Sequence, residues 1–356
     1  MKRFFVLMAI LGIAFCFACG DDNGDGSLNL NGSYSGDALK LTYSDVVFPG
    51  KTVVFSSQDG QGASLTLNGV IPGELETVIS EVELLQDNAG YQLTGKDENI
   101  HQAINLTGKI EKGLLVLGVN VKFDNVLIGK WLLNEKKPGS VIWTTVDGES
   151  VTLAEITTAN GVRIMSLTTK TVATLLPMLM KELTNYLKDI SFLADGNLLA
   201  TYNASESETA ADWKSLDLNS IHYYVEDETN CCIYPNVETL ASQIPALDTM
   251  KIEKSMLQQF LVNGVPLNFD LKEDVDPRTL YMYVDEEYIK QLIPLIKMAG
   301  SVVPEDAKIE IPATSGSPLY ISLKELLTNL PVALEKTETL EIGLNFIETK
   351  DPSKSE

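Results

Sequence analysis

Residues 30 to 134 alternate between apolar and polar side chains with a period of two, as strands with one buried face do. Turn-forming pairs such as Asn68-Gly69 and Pro72-Gly73 separate the alternating runs. Many short strands at this spacing predict an antiparallel meander that closes into a barrel or stacks as a sandwich. Its predicted strands are 39–43, 52–55, 64–67, 91–94, 104–110 and 114–121.

Residues 135 to 235 continue as a second β-rich unit that contains one inserted helix. Residues 171–190 place apolar side chains three and four positions apart, the spacing of a helix that covers a sheet. Pro177 lies inside this helix, and we expect it to kink the helix or split it in two. Strands are predicted at 141–146, 162–167, 197–202 and 221–225.

Residues 236 to 356 change to a mixed pattern of helices and strands. The predicted helices are 237–243, 252–261, 286–298 and 323–334. The predicted strands are 266–271, 279–284, 308–311, 319–322 and 340–347. The tail from 349 to 356 is charged and polar, and we expect it to fray. The predicted fold class is therefore α+β and β-rich, with a mixed α+β domain at the end.

Two short patterns recur within the chain. Segments 30–34 and 127–131 share the pattern Leu-x-Gly-x-aromatic, which ends in Tyr34 and in Trp131. Segments 221–227 and 280–286 each run a tyrosine-bearing strand into an acidic turn. The first pattern resembles the Gly-x-Trp opening of lipocalins and the Gly-x-Tyr opening of calycin-like lipoproteins of gut Bacteroidales. That resemblance implies a calycin-like barrel in which the aromatic side chain plugs one end; a generic turn before a strand is the alternative.

The amino terminus has the form of a bacterial lipoprotein leader. Residues 1–18 join a basic start to an apolar run too short to span a bilayer, and small Ala18 precedes Cys19. We predict a signal peptide over 1–18 and lipidation of Cys19, which would attach the protein to a lipid bilayer. Cys16 stands where such leaders usually carry an aliphatic residue, so an ordinary secretory peptide cut after Ala18 is the alternative.

The segment that follows, 19–29, is an acidic tether of Asp, Gly and Asn. It resembles the signal that sends Bacteroidetes lipoproteins to the cell surface, which implies a surface-exposed outer-membrane lipoprotein. The residues from Asp21 to Gly26 also match the first half of a calcium loop. Gly32 occupies the position that should supply the bidentate carboxylate, so the tether is favoured over a metal site.

The charge excludes one class of partner. The chain of 356 residues carries a formal net charge of −22, so it cannot neutralise phosphates, and we predict no nucleic-acid partner. No second apolar run approaches twenty residues, and the membrane attachment predicted for the mature protein is therefore through lipid.

Catalytic signatures are absent from the sequence. The chain has two histidines, His101 and His222, outside any zinc-binding spacing, and no nucleophile elbow, phosphate loop or dinucleotide fingerprint. We therefore predict no catalytic residue, no metal and no cofactor. Short acidic clusters at 226–228, 274–276 and 285–287 leave a glycosidase open, because that chemistry needs only two carboxylates. A Ser-His-Asp hydrolase also stays open, because such triads assemble in space and not in sequence.

Cys231 and Cys232 are the most unusual local feature, because neighbouring Cα atoms lie about 3.8 Å apart, below the usual disulfide range. The two thiols either remain free and buried or close into a strained eight-membered ring. Such a ring could form the floor of a ligand pocket beside aromatic side chains. The predicted ligand-binding residues are Cys231, Cys232, Trp213, Tyr223, Tyr224 and Tyr234.

One modification is predicted at Thr249, because Asp248-Thr249-Met250 matches the O-glycosylation pattern of exported Bacteroidetes proteins. As a whole, the chain resembles Bacteroidales surface lipoproteins with a calycin-like β domain, a family that offers no catalytic residues to transfer. We predict a lipid-anchored surface protein that binds a small hydrophobic molecule or a glycan without catalysis. The alternatives are an envelope hydrolase acting on glycans and a scaffold of an outer-membrane complex.

Overall fold

A computed structural model describes residues 30–58, 62–87, 90–205, 210–236, 239, 263–311 and 318–349. Several predictions lie outside these residues: the signal peptide 1–18, Cys19, the tether 19–29, Thr249, nearly all of the helix at 237–243, the helix at 252–261 and the tail beyond residue 349. The protein is β-rich, with 53% strand and 19% helix, which confirms the coarse fold class. No helix in the described ranges is long and apolar enough to cross a membrane.

The first sheet has nine strands in the order β1-β4-β5-β6-β7-β8-β9-β2-β3 and curls into a half-barrel. Five of the predicted strands lie within longer ones, and 39–43 is reproduced in full. Sequence reasoning did not identify the long strand β6. The strands are β1 Gly32–Ser35, β2 Leu39–Tyr43, β3 Val46–Val47, β4 Thr52–Gln58, β5 Gly62–Asn68, β6 Glu76–Gln86, β7 Tyr91–Glu98, β8 Gln102–Glu111 and β9 Leu114–Phe123.

One bent segment links the two edges of this sheet. A 3-10 turn over Gly36–Ala38 separates β1, which pairs antiparallel with β4, from β2, which pairs parallel with β9. Gly36 has a φ of +53°, a left-handed conformation that glycine adopts without strain. The interior is filled by inward side chains that are at most 1% exposed, among them Val53, Phe55, Leu65, Leu93, Ile104 and Leu117.

The second sheet has ten strands in the order β16-β15-β14-β10-β23-β20-β19-β18-β17, with β11 also paired to β23. The two ends of this order lie close together: Asn197, directly before β15, forms an isolated bridge with His222 on β17. The strands are β10 Gly129–Leu133, β11 Gly139–Thr145, β14 Leu187–Phe192, β15 Leu198–Asn203, β16 Trp213–Ser215, β17 Ile221–Val225, β18 Asn230–Pro235, β19 Val265–Lys272, β20 Thr279–Val284 and β23 Thr337–Glu348. The sheet thus combines residues from all three predicted segments.

A third sheet of four strands, in the order β13-β12-β22-β21, packs with the helices. Its strands are β12 Thr152–Thr158, β13 Arg163–Thr168, β21 Lys308–Ile311 and β22 Leu319–Ser322. The helices are α1 Thr169–Leu179, α2 Glu286–Gln291, α3 Ile293–Val302 and α4 Leu323–Glu335. Two predicted strands, 308–311 and 319–322, match the structure at both ends.

The predicted helix over 171–190 is divided after Pro177, as expected, and the prediction is wrong from Leu187 onwards. The α-helix ends at Leu179, two residues after Pro177, and a 3-10 helix follows over Met180–Asn185. Leu187–Phe192 is strand β14, which pairs with both β10 and β15. Pro177 has no amide hydrogen to donate to the carbonyl of Ala173, four residues earlier, which weakens the helix. The second sheet offers residues Leu187–Phe192 two pairing partners. The predicted helix 286–298 is likewise two helices, separated at Leu292 just before Pro294.

The recurring Leu-x-Gly-x-aromatic pattern has one local structure in both places. The hydroxyl of Tyr34 donates to the carbonyl of Leu30 at 2.7 Å, and Nε1 of Trp131 donates to the carbonyl of Leu127 at 2.8 Å. Both aromatic side chains are buried, in the cores of the first and the second sheet respectively. The Arg278 guanidinium lies 5.4 Å from the centre of the Trp131 ring.

A buried polar contact fixes the first sheet against the second. Asn219, in the loop before β17, is 1% exposed, and its Nδ2 donates to the carbonyls of Tyr43 and Val46 at 3.1 Å each. Its backbone amide donates to Oδ1 of Asn197 at 2.7 Å. The hydroxyl of Tyr43 donates to the carbonyl of Asp195 at 2.5 Å. Buried polar groups without such partners are costly, so these bonds define one relative position of the two sheets.

We expect Asn219→Gly to lower the free energy of unfolding by about 2–3 kcal/mol, because the buried carbonyl of Tyr43 and the partly buried carbonyl of Val46 lose their donor. Glycine accepts the φ of +63° at this position, so the change removes the side chain without adding backbone strain. Urea denaturation measures the effect. Asn120→Ala, on the exposed face of β9, is the matched control and should change stability by less than about 0.5 kcal/mol. An equal effect of both substitutions would contradict the role given to Asn219.

Candidate functional site

The register of β17 and β18 assigns each predicted binding residue to one face of the second sheet. Tyr223 pairs with Ile233 and Val225 with Cys231, whereas His222 pairs with Tyr234 and Tyr224 with Cys232. Paired residues in antiparallel strands share a face, and successive residues alternate. Tyr223 and Cys231 therefore face the core, and His222, Tyr224, Cys232 and Tyr234 face outward, towards the first sheet.

The inward residues are core residues. Tyr223 is 0% exposed, and its ring meets Phe192 edge-on with centroids 4.7 Å apart. Its hydroxyl donates to the carbonyl of Leu193 at 2.9 Å and accepts from Nδ2 of Asn125 at 3.3 Å. Burial raises the pKa of this hydroxyl. Because the Tyr223 side chain is buried and its hydroxyl is hydrogen-bonded within the protein, it is not accessible to a ligand.

Cys231 and Cys232 are free thiols, not a ring. Strand alternation points Cys231 into the second core and Cys232 to the outer face, which separates the sulfur atoms. Burial is the main cause that raises the pKa of Cys231 to about 12 and that of Cys232 to about 11. Both thiols therefore stay protonated and unreactive near neutral pH.

The other predicted residues lie in different places. Trp213 is on β16, paired with Asn203 at the far edge of the second sheet, and is 38% exposed. Tyr224 packs edge-on against Phe123 of the first sheet, with ring centroids 6.0 Å apart. Gly73 lies against the Tyr224 ring so closely that a Cβ there would be 2.5 Å from it. Of the six predicted residues, only Tyr234 lines the cleft described next.

The junction cleft is a cavity of about 500 Å³ between the first and second sheets. Two loops of the first sheet form one wall, residues 48–51 before β4 and residues 69–75 between β5 and β6. The second sheet contributes the opposite wall: His222, Glu226, Tyr234, Pro235, Asn236 and Asn263. A cavity of this size accommodates a small organic ligand.

Charged groups of both signs line the junction cleft. The ammonium of Lys51 lies 4.6 Å from the centre of the Phe48 ring. Glu74 accepts hydrogen bonds from Nε2 of Gln102 at 2.6 Å and from the hydroxyl of Thr77. Oε1 of Glu226 accepts from the thiol of Cys232 at 3.3 Å. These contacts fix both carboxylates in the cleft wall, where their remaining lone pairs can accept hydrogen bonds.

Two buried polar atoms of the cleft wall lack a hydrogen-bond partner within the part of the chain that the structure describes. They are Nε2 of His222 and Nδ2 of Asn236. The His222 side chain is 3% exposed and packs against the rings of Tyr43 and Phe48, with centroids 5.0 and 5.1 Å away. A buried polar atom left unpaired costs free energy, so such atoms beside a cavity point to a ligand.

His222 is held neutral. Burial is the largest cause that lowers its pKa to about 3, and the positive charge of Lys51 lowers it further, against a smaller opposing effect of Asp195. A neutral imidazole has one nitrogen that accepts and one that donates a hydrogen bond. His222 can therefore serve a ligand hydroxyl group in either direction throughout the physiological pH range.

Sequence reasoning identified the turns of this wall but not their common location. The sequence predicts turns at Asn68-Gly69 and Pro72-Gly73, and Pro49-Gly50 is a turn-forming pair of the same kind. Alternate turns of a meander lie at the same end of the sheet. That rule alone would have grouped residues 48–51 with 69–75. The contribution of His222 could not be found in this way, because it depends on contact between two sheets.

No family model, curated protein or solved structure matches this chain. Among the described residues, no three His, Cys, Asp or Glu side chains are grouped so that they could hold a metal ion. The chemistry of the site is therefore inferred from its geometry.

We expect both thiols to resist alkylation in the folded protein. With pKa values of about 12 and 11, less than about 0.1% of either is thiolate at pH 8. Iodoacetamide at pH 8 should leave the peptide containing Cys231 and Cys232 unmodified, and 8 M urea should allow both to react; peptide mass spectrometry reports the result. A peptide that stays unmodified in urea and is two hydrogens lighter would show a disulfide and contradict the free thiols.

We expect His222 to make the protein less stable in acid. The pKa of its imidazole is about 3 in the folded protein and 6.5 when unperturbed, so the unfolded chain binds the extra proton between these pH values. The stabilisation is complete above pH 6.5 and is lost as the pH falls towards 3. Urea denaturation of His222→Phe between pH 3.5 and 6 should show a slope about 1.4 kcal/mol per pH unit shallower than that of the wild type. Equal slopes would show that His222 titrates normally.

Proposed function

We propose that the protein is a lipid-anchored, surface-exposed outer-membrane lipoprotein that binds a small glycan in the junction cleft without catalysis. The observation that carries the proposal is the pair of buried, unpartnered polar atoms, Nε2 of His222 and Nδ2 of Asn236, on one wall of the cleft. The lipid anchor at Cys19 rests on the sequence of the leader. The first sheet is proposed to be a calycin-like domain whose ligand lies outside its filled interior.

The lining of the cleft favours a glycan over a hydrophobic molecule. A hydrophobic ligand would cover the charges of Lys51, Glu74 and Glu226 without offering them a hydrogen bond. Sugar hydroxyl groups donate and accept, which suits carboxylates, an ammonium group, an amide and a neutral imidazole together. The ring of Tyr234 and the side chain of Pro72 offer apolar surface for the C–H groups of a sugar.

A glycan hydrolase is the second candidate, because Glu74 and Glu226 both line the junction cleft. The two contacts that Glu74 accepts tie it to the first sheet, which suits a binding role better than proton transfer. Incubation of the protein with each oligosaccharide used below, followed by chromatography, separates the two functions. We expect intact sugar; cleavage that Glu226→Gln abolishes would replace binding by hydrolysis.

Binding is tested by calorimetry of the full chain in detergent with maltohexaose, cellohexaose, xylohexaose and mannohexaose. We expect one of these sugars to bind, and His222→Phe and Asn236→Ala each to weaken it about 10-fold, because each removes a hydrogen bond from a desolvated site. Asn120→Ala, at an exposed residue that does not line the cleft, is the control and should bind normally. If none of the four sugars binds, or if both cleft variants bind as the wild type does, the proposal is wrong.

A further inference from the structure

Segments 221–227 and 280–286, which share a sequence pattern, also place equivalent residues on the same faces of the second sheet. In β17, Tyr223 faces the core and His222 faces outward; in β20, Met282 faces the core and Tyr281 faces outward. The acidic residues that follow are also alike, since Glu226 accepts from Cys232 and Asp285 accepts from Nδ2 of Asn268 at 2.8 Å. His222 and Tyr281 therefore occupy equivalent positions on two strands of the same sheet.

Each of these equivalent residues carries an unpaired buried atom at a cleft. The hydroxyl of Tyr281, like Nε2 of His222, has no hydrogen-bond partner in the described ranges. Tyr281 lines the sheet cleft, a second cavity of about 500 Å³ over the outer face of the second sheet. Its other lining residues include Lys137, Ser140, Pro177, Asp270, Lys272 and Asn345.

We propose that the sheet cleft is a second binding site, which takes an oligosaccharide bearing carboxylate groups. Tyr281 pairs with Asp270 on one neighbouring strand and with Asn345 on the other, so hydroxyl, carboxylate and amide form one row across three strands. Nδ2 of Asn345 donates to the hydroxyl of Ser140 at 3.2 Å. The row leaves the Tyr281 hydroxyl unpaired, and a ligand hydroxyl or carboxylate completes it.

The position of Tyr281 is built into the sheet. Its ring stacks on that of Tyr283, with centroids 4.9 Å apart and planes 17° from parallel. Gly343 on β23 makes the space, because a Cβ there would lie 2.5 Å from the Tyr281 ring and 2.4 Å from the carbonyl of Met282. Burial and the charge of Glu341 raise the pKa of Tyr281 to about 12, so its hydroxyl keeps its proton and can donate.

Charge separates the ligand of this site from that of the junction cleft. Lys137 and Lys272 place two positive charges in the lining of the sheet cleft beside one lining carboxylate, Asp270, and the carboxylate of Glu341 acts on Tyr281 from outside the lining. The junction cleft instead has two carboxylates, Glu74 and Glu226, beside Lys51. The balance of charge is therefore less negative at the sheet cleft than at the junction cleft, so a sugar acid is accepted better in the sheet cleft.

The test is calorimetry of the full chain in detergent with hexagalacturonate, and with maltohexaose as the neutral sugar. We expect hexagalacturonate to bind more tightly than maltohexaose at the sheet cleft. Tyr281→Phe should weaken hexagalacturonate about 3- to 10-fold through the lost hydrogen bond. Lys272→Gln should weaken it and reduce its dependence on salt. Tyr320→Phe, on the third sheet, removes the same hydroxyl away from the cleft and should change nothing.

Two further measurements separate a binding role from a structural one. Tyr281→Phe should not lower the melting temperature, because the hydroxyl has no partner in the described part of the chain to lose. His222→Phe should leave hexagalacturonate binding unchanged, so this site and the junction cleft can fail independently. Unchanged affinity in Tyr281→Phe, equal affinity of the His222→Phe protein for both sugars, or loss of hexagalacturonate binding in His222→Phe would each overturn the proposal.

Discussion

The hydrogen bonds of Asn219 are the constraint on which the arrangement of the molecule depends. This amide is buried where water cannot replace its partners, so the carbonyls of Tyr43 and Val46 must lie within reach of it. That requirement brings the edge of the second sheet against the loops of the first. The rings of Tyr43 and Phe48 then enclose His222, and the junction cleft forms in the space that remains between the two walls.

The two faces of the second sheet have different surroundings, because successive residues of a strand point to opposite faces. The inward residues, such as Tyr223, Cys231 and Phe269, are buried and satisfied within the core. The outward residues meet the first sheet at one edge and line cavities, among them His222, Tyr234 and Tyr281. A change on the inward face therefore alters the packing of the core, whereas a change on the outward face alters the lining of the two clefts.

The clefts carry a cost in free energy, which Oε1 of Gln102 and Oδ1 of Asn219 also carry outside the cleft linings. His222 and Tyr281 each keep a buried polar atom without a partner among the described residues, although most buried polar groups in proteins are paired. Such exceptions tend to mark functional positions, where stability is given up for a site that only a ligand completes. An outward residue with a polar atom unpartnered within the described ranges recurs at the same position of β17 and β20. One strand-and-turn pattern therefore contributes to the lining of both clefts.

The sequence by itself determined the local structure. The period-two strands predicted at 39–43, 221–225 and 279–284 match the structure residue for residue. Tyr34 and Trp131, which end the same short pattern, each donate a hydrogen bond to the carbonyl four residues earlier. These features depend on neighbours along the chain, which a pattern records. The tertiary structure decided what depends on distant partners: Leu187–Phe192 became a strand because β10 and β15 pair with it. Likewise, the importance of His222 arises from contact between two sheets, and no spacing in the sequence encodes that contact.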